Sequence, residues 1–347
     1  MDGRRSTARG VCQRDGKELI MKSNVVGYAG TYASPEAPGT YRFTLDAKSG
    51  GLGGPELLYR QTNTKYSAWY AGLLATVTEC ADGCGLALLD VSHQNAEVLD
   101  TCIQEKTTAC FLTWHNGLLY SANYHDGHVL VYRVDNQKLH LVRRIFLGEE
   151  SGCHQVLFHQ RWLLIPCLKR DKVFIFEYDG GCQPAGELTF PAGTGPRHGV
   201  FTADHTRFYL VSETSNQLFT YAVNGTAFTL EDTVSVLPPE FTGKAEAAAI
   251  RLSEDERSLY ISIRKADLIS VFRLENGLPR PLQYADSLGR DPWDILPVPG
   301  YPLLLTSNRG SDSLVCRLLE ADGRVGRELS RLQIPQCVGL SLEDRSK

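Results

Sequence analysis

A phrase that recurs about every 45 residues constrains this chain more than any other feature: a hydrophobic strand, a polar knot, then a strand alternating aromatic or β-branched with polar residues. The clearest copies are LLYSANYHDGHVLVYRV from Leu118, WLLIPCLKRDKVFIFEY from Trp162, RFYLVSETSNQLFTYAV from Arg207, SLYISIRKADLISVFRL from Ser258 and PLLLTSNRGSDSLVCRL from Pro302. With Asn123, Cys167, Ser212, Ile263 and Asn308 taken as one column, the copies lie 44 to 51 residues apart. Two weaker copies precede them, at 75–91 and, with a longer turn, at 26–45.

Short strands at this period are the mark of a propeller, and the spacing is that of one four-stranded antiparallel blade. Seven copies account for nearly all of the chain after residue 24, which predicts an all-β, seven-bladed ring over residues 24–342. Length alone would suggest about two domains. A ring of blades closes by pairing strands from the two ends of the chain, which leaves no sheet edge open. Residues 24–30 and the closing CVGLSL are the expected partners, with 1–23 a disordered extension and 343–347 a tail.

Composition accords with this fold: 42% hydrophobic residues, 32 glycines and 16 prolines suit many short strands joined by tight turns. The net charge of −4 provides no general field for nucleic acid or an anionic membrane, and 2 methionines argue against a soft, promiscuous surface. No apolar run approaches the roughly 18 residues that span a bilayer, and the N-terminus has no apolar signal region. A soluble, cytoplasmic protein is expected. Gly16-Lys17-Glu18 can be encoded by a ribosome-binding sequence placed suitably upstream of Met21, so translation is expected to start naturally at Met21.

The ten cysteines (12, 80, 84, 102, 110, 153, 167, 182, 316 and 337) include no C-x-x-C pair. Cys80 and Cys84 meet zinc spacing only loosely and have no matching second pair, so buried reduced thiols are expected. His125 and His128 flank a glycine and read as solvated turn residues. Trp114, Trp162 and Trp293 are expected to pack between blades, Trp293 close enough to a strand opening to line the channel mouth.

Antiparallel pairing turns linear spacing into a geometric expectation. The start of an innermost strand and the end of its neighbour open on the same face of the ring. Gly195-Pro196-Arg197-His198 opens one inner strand and Glu213 ends the next, FYLVSE; Cys153-His154-Gln155 opens the strand before, and Arg264 and Asn308-Arg309 end later second strands. One mouth should therefore gather His154, Arg197, His198, Glu213, Arg264 and Arg309. A carboxylate or imidazole there can activate water, while arginines hold an anion and stabilise an oxyanion. The same residues can also serve as strand-end turn formers and structural ion pairs.

The segments GYAGTY, YRFTLD, SANYHDGHVLVYRV, CHQVLF, GTGPRHGVF, LVSETSNQL, LYISIRKADLISVFRL, LLLTSNRGSDSL and PQCVGLSL, in order across all blades, resemble the seven-bladed propeller lactonase family. That family includes propeller-type 6-phosphogluconolactonases and carboxy-cis,cis-muconate cyclase. The resemblance implies an enzyme without metal or cofactor, acting on a small anionic lactone or sugar acid, as in the pentose phosphate pathway. Family residues proposed for catalysis fall on His154, Arg197, Glu213 and Arg264, with His198, Asn123, Asn308, Arg309 and Lys169 expected to contact substrate. The chain departs from the family where Cys167-Leu168-Lys169 replaces a DLG turn, Ser262-Ile263-Arg264 an SNR, Asn63-Thr64-Lys65-Tyr66 an NPSY, and Trp293 a common arginine. The pocket thereby loses an acid and an asparagine and gains Lys169, with Lys65 a second candidate, so a changed substrate is as consistent as the family's own.

For hydrolysis, Glu213 or His154 would activate water, Arg197 would face the oxyanion, and Arg264 with Arg309 would hold phosphate or carboxylate. No G-x-S-x-G elbow is present to supply a nucleophile. Two alternatives stay open: ring closure of a muconate-type acid at the same site, and a non-catalytic propeller that binds a ligand or protein.

Overall fold

The computed structural model describes residues 24–178 and 181–343. The extension at 1–23, with Cys12 and the Met21 start, lies outside the described residues, as does the chain after 343. Seven four-stranded antiparallel sheets are present, as the repeat predicts. The inner strands of blades 2 to 7 are Ser67–Tyr70, Phe111–His115, Leu157–His159, Pro196–Phe201, Glu246–Leu252 and Pro292–Pro297. Cys337–Leu342 is the inner strand of blade 1 and pairs with Asn24–Thr31, Gly27 opposite Leu342 and Thr31 opposite Cys337. The two ends of the chain therefore close the ring in the expected place.

The repeated phrase is the second and third strand of each blade. These strands are hydrophobic on both faces because adjacent blades cover them on both sides, as in Ser258–Arg264, where every residue is buried. The core is a set of layers between blades: Tyr209 and Val211 of blade 5 pack with Ile250, Leu259 and Ile261 of blade 6. Each such side chain contributes about 1.5–3 kcal/mol by leaving water. Outer strands such as Gln183–Thr189 are mostly exposed.

The polar knot has a second use besides turning the chain. Asp171, Asn216, Asp267 and Asp312 sit in the left-handed region, at φ of 51°, 52°, 55° and 53°, where Asp and Asn are tolerated. Each holds the loop that opens the inner strand of the next blade. Asp171 Oδ2 and Oδ1 accept from Gly193 N and Gly195 N at 2.8 and 2.7 Å, Asn216 Oδ1 from Ala247 N at 2.9 Å, Asp267 Oδ1 from Asp291 N at 2.6 Å, and Asp312 Oδ1 from Gln336 N at 2.7 Å. Asp171→Ala is expected to cost about 1–3 kcal/mol, because two backbone donors lose their acceptor; an unchanged denaturation midpoint would contradict this clamp.

Blade 4 is opened differently. The equivalent of Asp171 in blade 3 is Gly127, at φ 66°, whose absent Cβ would stand 1.7 Å from the Gly148 carbonyl oxygen. No side chain reaches forward from it. The inner strand expected to start near Gln155 begins at Leu157, preceded by an isolated bridge from Cys153 to Cys167. Pro166 accepts from His154 N at 3.0 Å but has no N–H to return, which interrupts the ladder.

One expectation about an individual residue changes. His128 is not solvated: it is buried, its Nε2 3.3 Å from Glu105 and its Nδ1 3.0 Å from Arg144, whereas His125 is exposed beside Glu150. Trp114 packs between blades 2 and 3, stacking on Tyr70 and donating to the Ala68 carbonyl at 3.1 Å, and Trp293 of blade 7 meets the Tyr32 ring of blade 1 edge-on at 5.1 Å.

Candidate active site

One-residue bulges recur in the inner strands that open on the site, and those of blades 5 and 7 carry site residues. In blade 5, Pro196 pairs with Ser212 and His198 with Val211, so Arg197 is the extra residue. In blade 7, Pro292 pairs with Asn308 and Asp294 with Ser307, so the extra residue is Trp293. Bulges re-aim the side chain they carry, and they recur beside active sites.

Arg197 is 1% exposed. Its Nε donates to Glu213 Oε2 at 2.9 Å and its Nη1 to the Ala248 carbonyl at 2.6 Å, a carbonyl presented by a bulged stretch of blade 6. Arg264 Nη2 approaches the same Glu213 Oε2 at 2.7 Å and Glu246 Oε2 at 3.3 Å. These contacts are ionic and off-axis: Arg264 Nε and Nη2 are buried without a hydrogen-bond acceptor. One oxygen of Glu213 is thus gripped by two guanidiniums, while Oε1 makes no hydrogen bond among the described residues. Desolvation by burial, and then the charge of Arg264, pull the Arg197 pKa down.

Two hollows flank the Arg197–Glu213 pair. On one side is a narrow cavity of about 40 Å³ lined by Tyr32, Lys65, Tyr66, Cys110, His154, His198, Trp293 and Asp294. That is room for a water or little more. On the other, Glu213 lines an open depression of about 410 Å³ with Thr214, Lys244, Glu246 and Lys265. His154 and His198 are buried in the first, Nδ1 of one 3.2 Å from Nε2 of the other. Burial, and after it the Arg197 charge, hold both imidazoles well below their ordinary pKa, so both are neutral at neutral pH. Burial also lowers the Lys65 pKa; its Nζ lies 3.3 Å from the Thr108 carbonyl oxygen and 5.3 Å from the Tyr32 ring centroid.

A wall of alternating cations and rings completes the mouth. The Arg264 guanidinium lies 4.4 Å from the Trp293 ring centroid, and Arg309 lies 5.1 Å from Trp293 and 4.3 Å from Tyr32. Arg309 Nε donates to Gln336 at 3.1 Å, and its Nη1 is 3.8 Å from Asp291. Such stacking stiffens guanidiniums while leaving N–H edges for an anion. Among the described residues no group of three or more His, Cys, Asp and Glu side chains is placed to hold a metal ion.

His154, Arg197, His198, Glu213, Arg264 and Arg309 are therefore brought together. Lys169 is on the rim, paired with Glu150 and 5.0 Å from the Tyr124 ring centroid. Asn123 and Asn308 are buried; Asn123 is committed to the framework, whereas Asn308 Oδ1 has no hydrogen-bond partner among the described residues. Asn123 Oδ1 accepts from Thr107, His125 N and Asp126 N and its Nδ2 donates to the Thr107 carbonyl, while Asn308 donates to the Ser287 carbonyl at 3.3 Å. Sequence reasoning missed Tyr32, Tyr124 and Glu246. The residue just past each second strand is Tyr32 in blade 1, Tyr124 in blade 3, Glu213 in blade 5 and Arg309 in blade 7, so the column that contains Glu213 could have found both tyrosines. Glu246 stands directly opposite Arg264 in register.

A family model described as lactonase, 7-bladed beta-propeller, matches residues 26–341. The 6-phosphogluconolactonase of Bacillus subtilis is 26% identical over 325 residues, covering 87% of this chain and 93% of that protein. A crystal structure of a protein from Lactobacillus plantarum superposes with a TM-score of 0.87 at 27% identity, over 92% of this chain and 100% of that one. The periplasmic gluconolactonase of Pseudomonas aeruginosa, at 23% identity and a TM-score of 0.82 over 92% of this chain and 99% of its own, shares the fold.

Proposed function

The chain belongs to the seven-bladed β-propeller lactonase family, and from that premise we propose that it hydrolyses the lactone of an anionic sugar acid, with 6-phosphogluconolactone the first candidate. The observation that carries this reading is the Glu213 carboxylate, held through Oε2 by Arg197 and Arg264 and free at Oε1. Glu213 Oε1 takes a proton from water as the water oxygen attacks the lactone carbonyl. Arg197 Nη2, which makes no hydrogen bond among the described residues, faces the oxyanion of the tetrahedral intermediate. Collapse breaks the acyl–oxygen bond, and the ring oxygen leaves with the proton held by Glu213. Arg264 and Arg309 bind the phosphate or carboxylate.

A cavity of about 40 Å³ is too small for a sugar lactone, so the ring is placed at the mouth, over Arg197, with only its reacting edge turned inward. Six-membered lactones already open in water, and positioning plus one acid–base group worth about 10²–10⁴ suffices. The nine described cysteines are free thiols, which accords with a reducing, cytoplasmic setting. No helix among the described residues is long and apolar enough to cross a membrane.

Purified protein is expected to accelerate the opening of 6-phosphoglucono-1,5-lactone, followed by proton release, and to act more slowly on the unphosphorylated lactone. A rate equal to the spontaneous one with both lactones would overturn the hydrolase reading.

A further inference from the structure

We propose that His198 is a positioning residue: through its Nε2 proton it fixes His154 in the Nε2-protonated tautomer, making His154 a neutral hydrogen-bond donor to the substrate and not the base. The role in catalysis rests on the hydrolase reading; the tautomer does not.

The two rings lie one blade apart in equivalent positions, with His154 Nδ1 and His198 Nε2 3.2 Å from each other. Both rings are neutral and buried, so one proton lies between these nitrogens, and the remaining proton of each ring follows from its place. If His154 donates, His198 must carry its own proton on Nδ1. That atom is buried and has no hydrogen-bond partner. A buried N–H without an acceptor is the costly kind of orphan, whereas a bare acceptor is tolerated more often. If His198 donates from Nε2, its Nδ1 is merely a bare acceptor, and His154 Nδ1 accepts. The proton of His154 is then on Nε2.

The surroundings support this order. The charges of Arg197, Arg264 and Lys65 act on His154, and those of Arg197 and Arg251 on His198, against a second proton on either ring, while the His154 backbone acts in the opposite direction on both. The Cys110 sulfur also lies near His154 Nδ1, at 3.9 Å. Burial pushes that thiol up to about 12, and it lies closer to the Cys153 and Ala122 carbonyl oxygens, at 3.3 and 3.5 Å. It stays protonated and does not draw a proton from the imidazole.

A neutral imidazole with a strongly lowered pKa is a weak base but a competent electrophile toward a carbonyl oxygen. The roles in the site then divide: Glu213 takes the proton of water, and His154 beside Arg197 faces the developing oxyanion.

Ring ¹⁵N NMR of the uniformly labelled protein, assigned with His154→Gln and His198→Gln, reads the tautomer directly. His154 is expected to show a protonated Nε2 and a bare Nδ1 across the neutral pH range. A protonated Nδ1, or a His154 that titrates in that range, overturns the proposal even if the enzyme is fully active, and leaves the hydrolase reading standing. Kinetics with 6-phosphogluconolactone test the role. His198→Gln, which keeps a donor at the same reach, should retain about two- to tenfold more kcat than His198→Phe, the worth of one net hydrogen bond. His154→Gln, able to donate but not to take a proton, should exceed His154→Phe by about 10²-fold, the worth of one preorganised donor. Equal losses in that pair overturn the donor role. Should His198→Phe fail to fold, the wild-type spectrum still decides the tautomer.

Discussion

Replacing Glu213 with glutamine is expected to lower kcat on 6-phosphogluconolactone by about 10²–10⁴, the usual worth of a positioned acid–base group. The substitution preserves shape and one oxygen acceptor, so Arg197 Nε can still donate across the 2.9 Å contact. What is lost is the ability of Oε1 to take a proton from water. KM should move little, because Arg264 and Arg309 continue to hold the anionic group, and a kcat effect without a KM effect marks an interaction made only in the transition state. Steady-state assays with circular dichroism of both proteins provide the check. Activity within about threefold of wild type, in a correctly folded variant, would remove Glu213 from the base role.

The second large effect concerns stability. Asp294 is 3% exposed and spans three blades. It accepts from Arg251 Nη2 of blade 6 at 2.8 Å, from Ile295 N of its own strand at 2.9 Å, and from Leu340 N of the closing strand of blade 1 at 3.1 Å. Burial raises its pKa, with Arg251 acting in the opposite direction. Asp294→Ala leaves the Arg251 guanidinium, whose side chain is 19% exposed, without its carboxylate and the buried Leu340 donor unanswered, at an expected cost of about 3 kcal/mol. Replacing both partners with apolar residues of similar volume should recover most of that loss, since an intact buried pair gives little net stability. Denaturant titrations of the two variants test this, and a single-variant loss under about 1 kcal/mol would place the pair with ordinary surface bridges.

The ring was legible in the sequence because the second and third strands of a blade are buried on both faces, which writes a repeated hydrophobic signature. Inner strands as short as Leu157–His159 and exposed outer strands such as Gln183–Thr189 write none. The gathering of His154, Arg197, Glu213, Arg264 and Arg309 was legible for a different reason: antiparallel pairing assigns strand starts and strand ends to one face. The detail beneath that was not. A bulge of one residue at Arg197 or Trp293 is invisible to a period of about 45, yet it buries the arginine and turns the indole toward Arg264 and Arg309. Register, too, is a property of pairs of strands, so Glu246 opposite Arg264 could not be read from either segment alone. Lys65 was visible only as a departure from the family's pattern, and it does line the cavity.

The forward-reaching turn residues have a consequence for how such a ring can be rebuilt. Asp171 belongs to blade 4 but sets the loop before Arg197, and Asp267 belongs to blade 6 but sets the loop before Trp293. The sheet and the unit of inheritance are therefore out of phase. A cassette cut at blade boundaries would separate Arg197 and Trp293 from the clamps that aim them, whereas one cut from the second strand of a blade to the inner strand of the next would transplant both. Recombination between relatives should conserve activity at the second kind of crossover and lose it at the first.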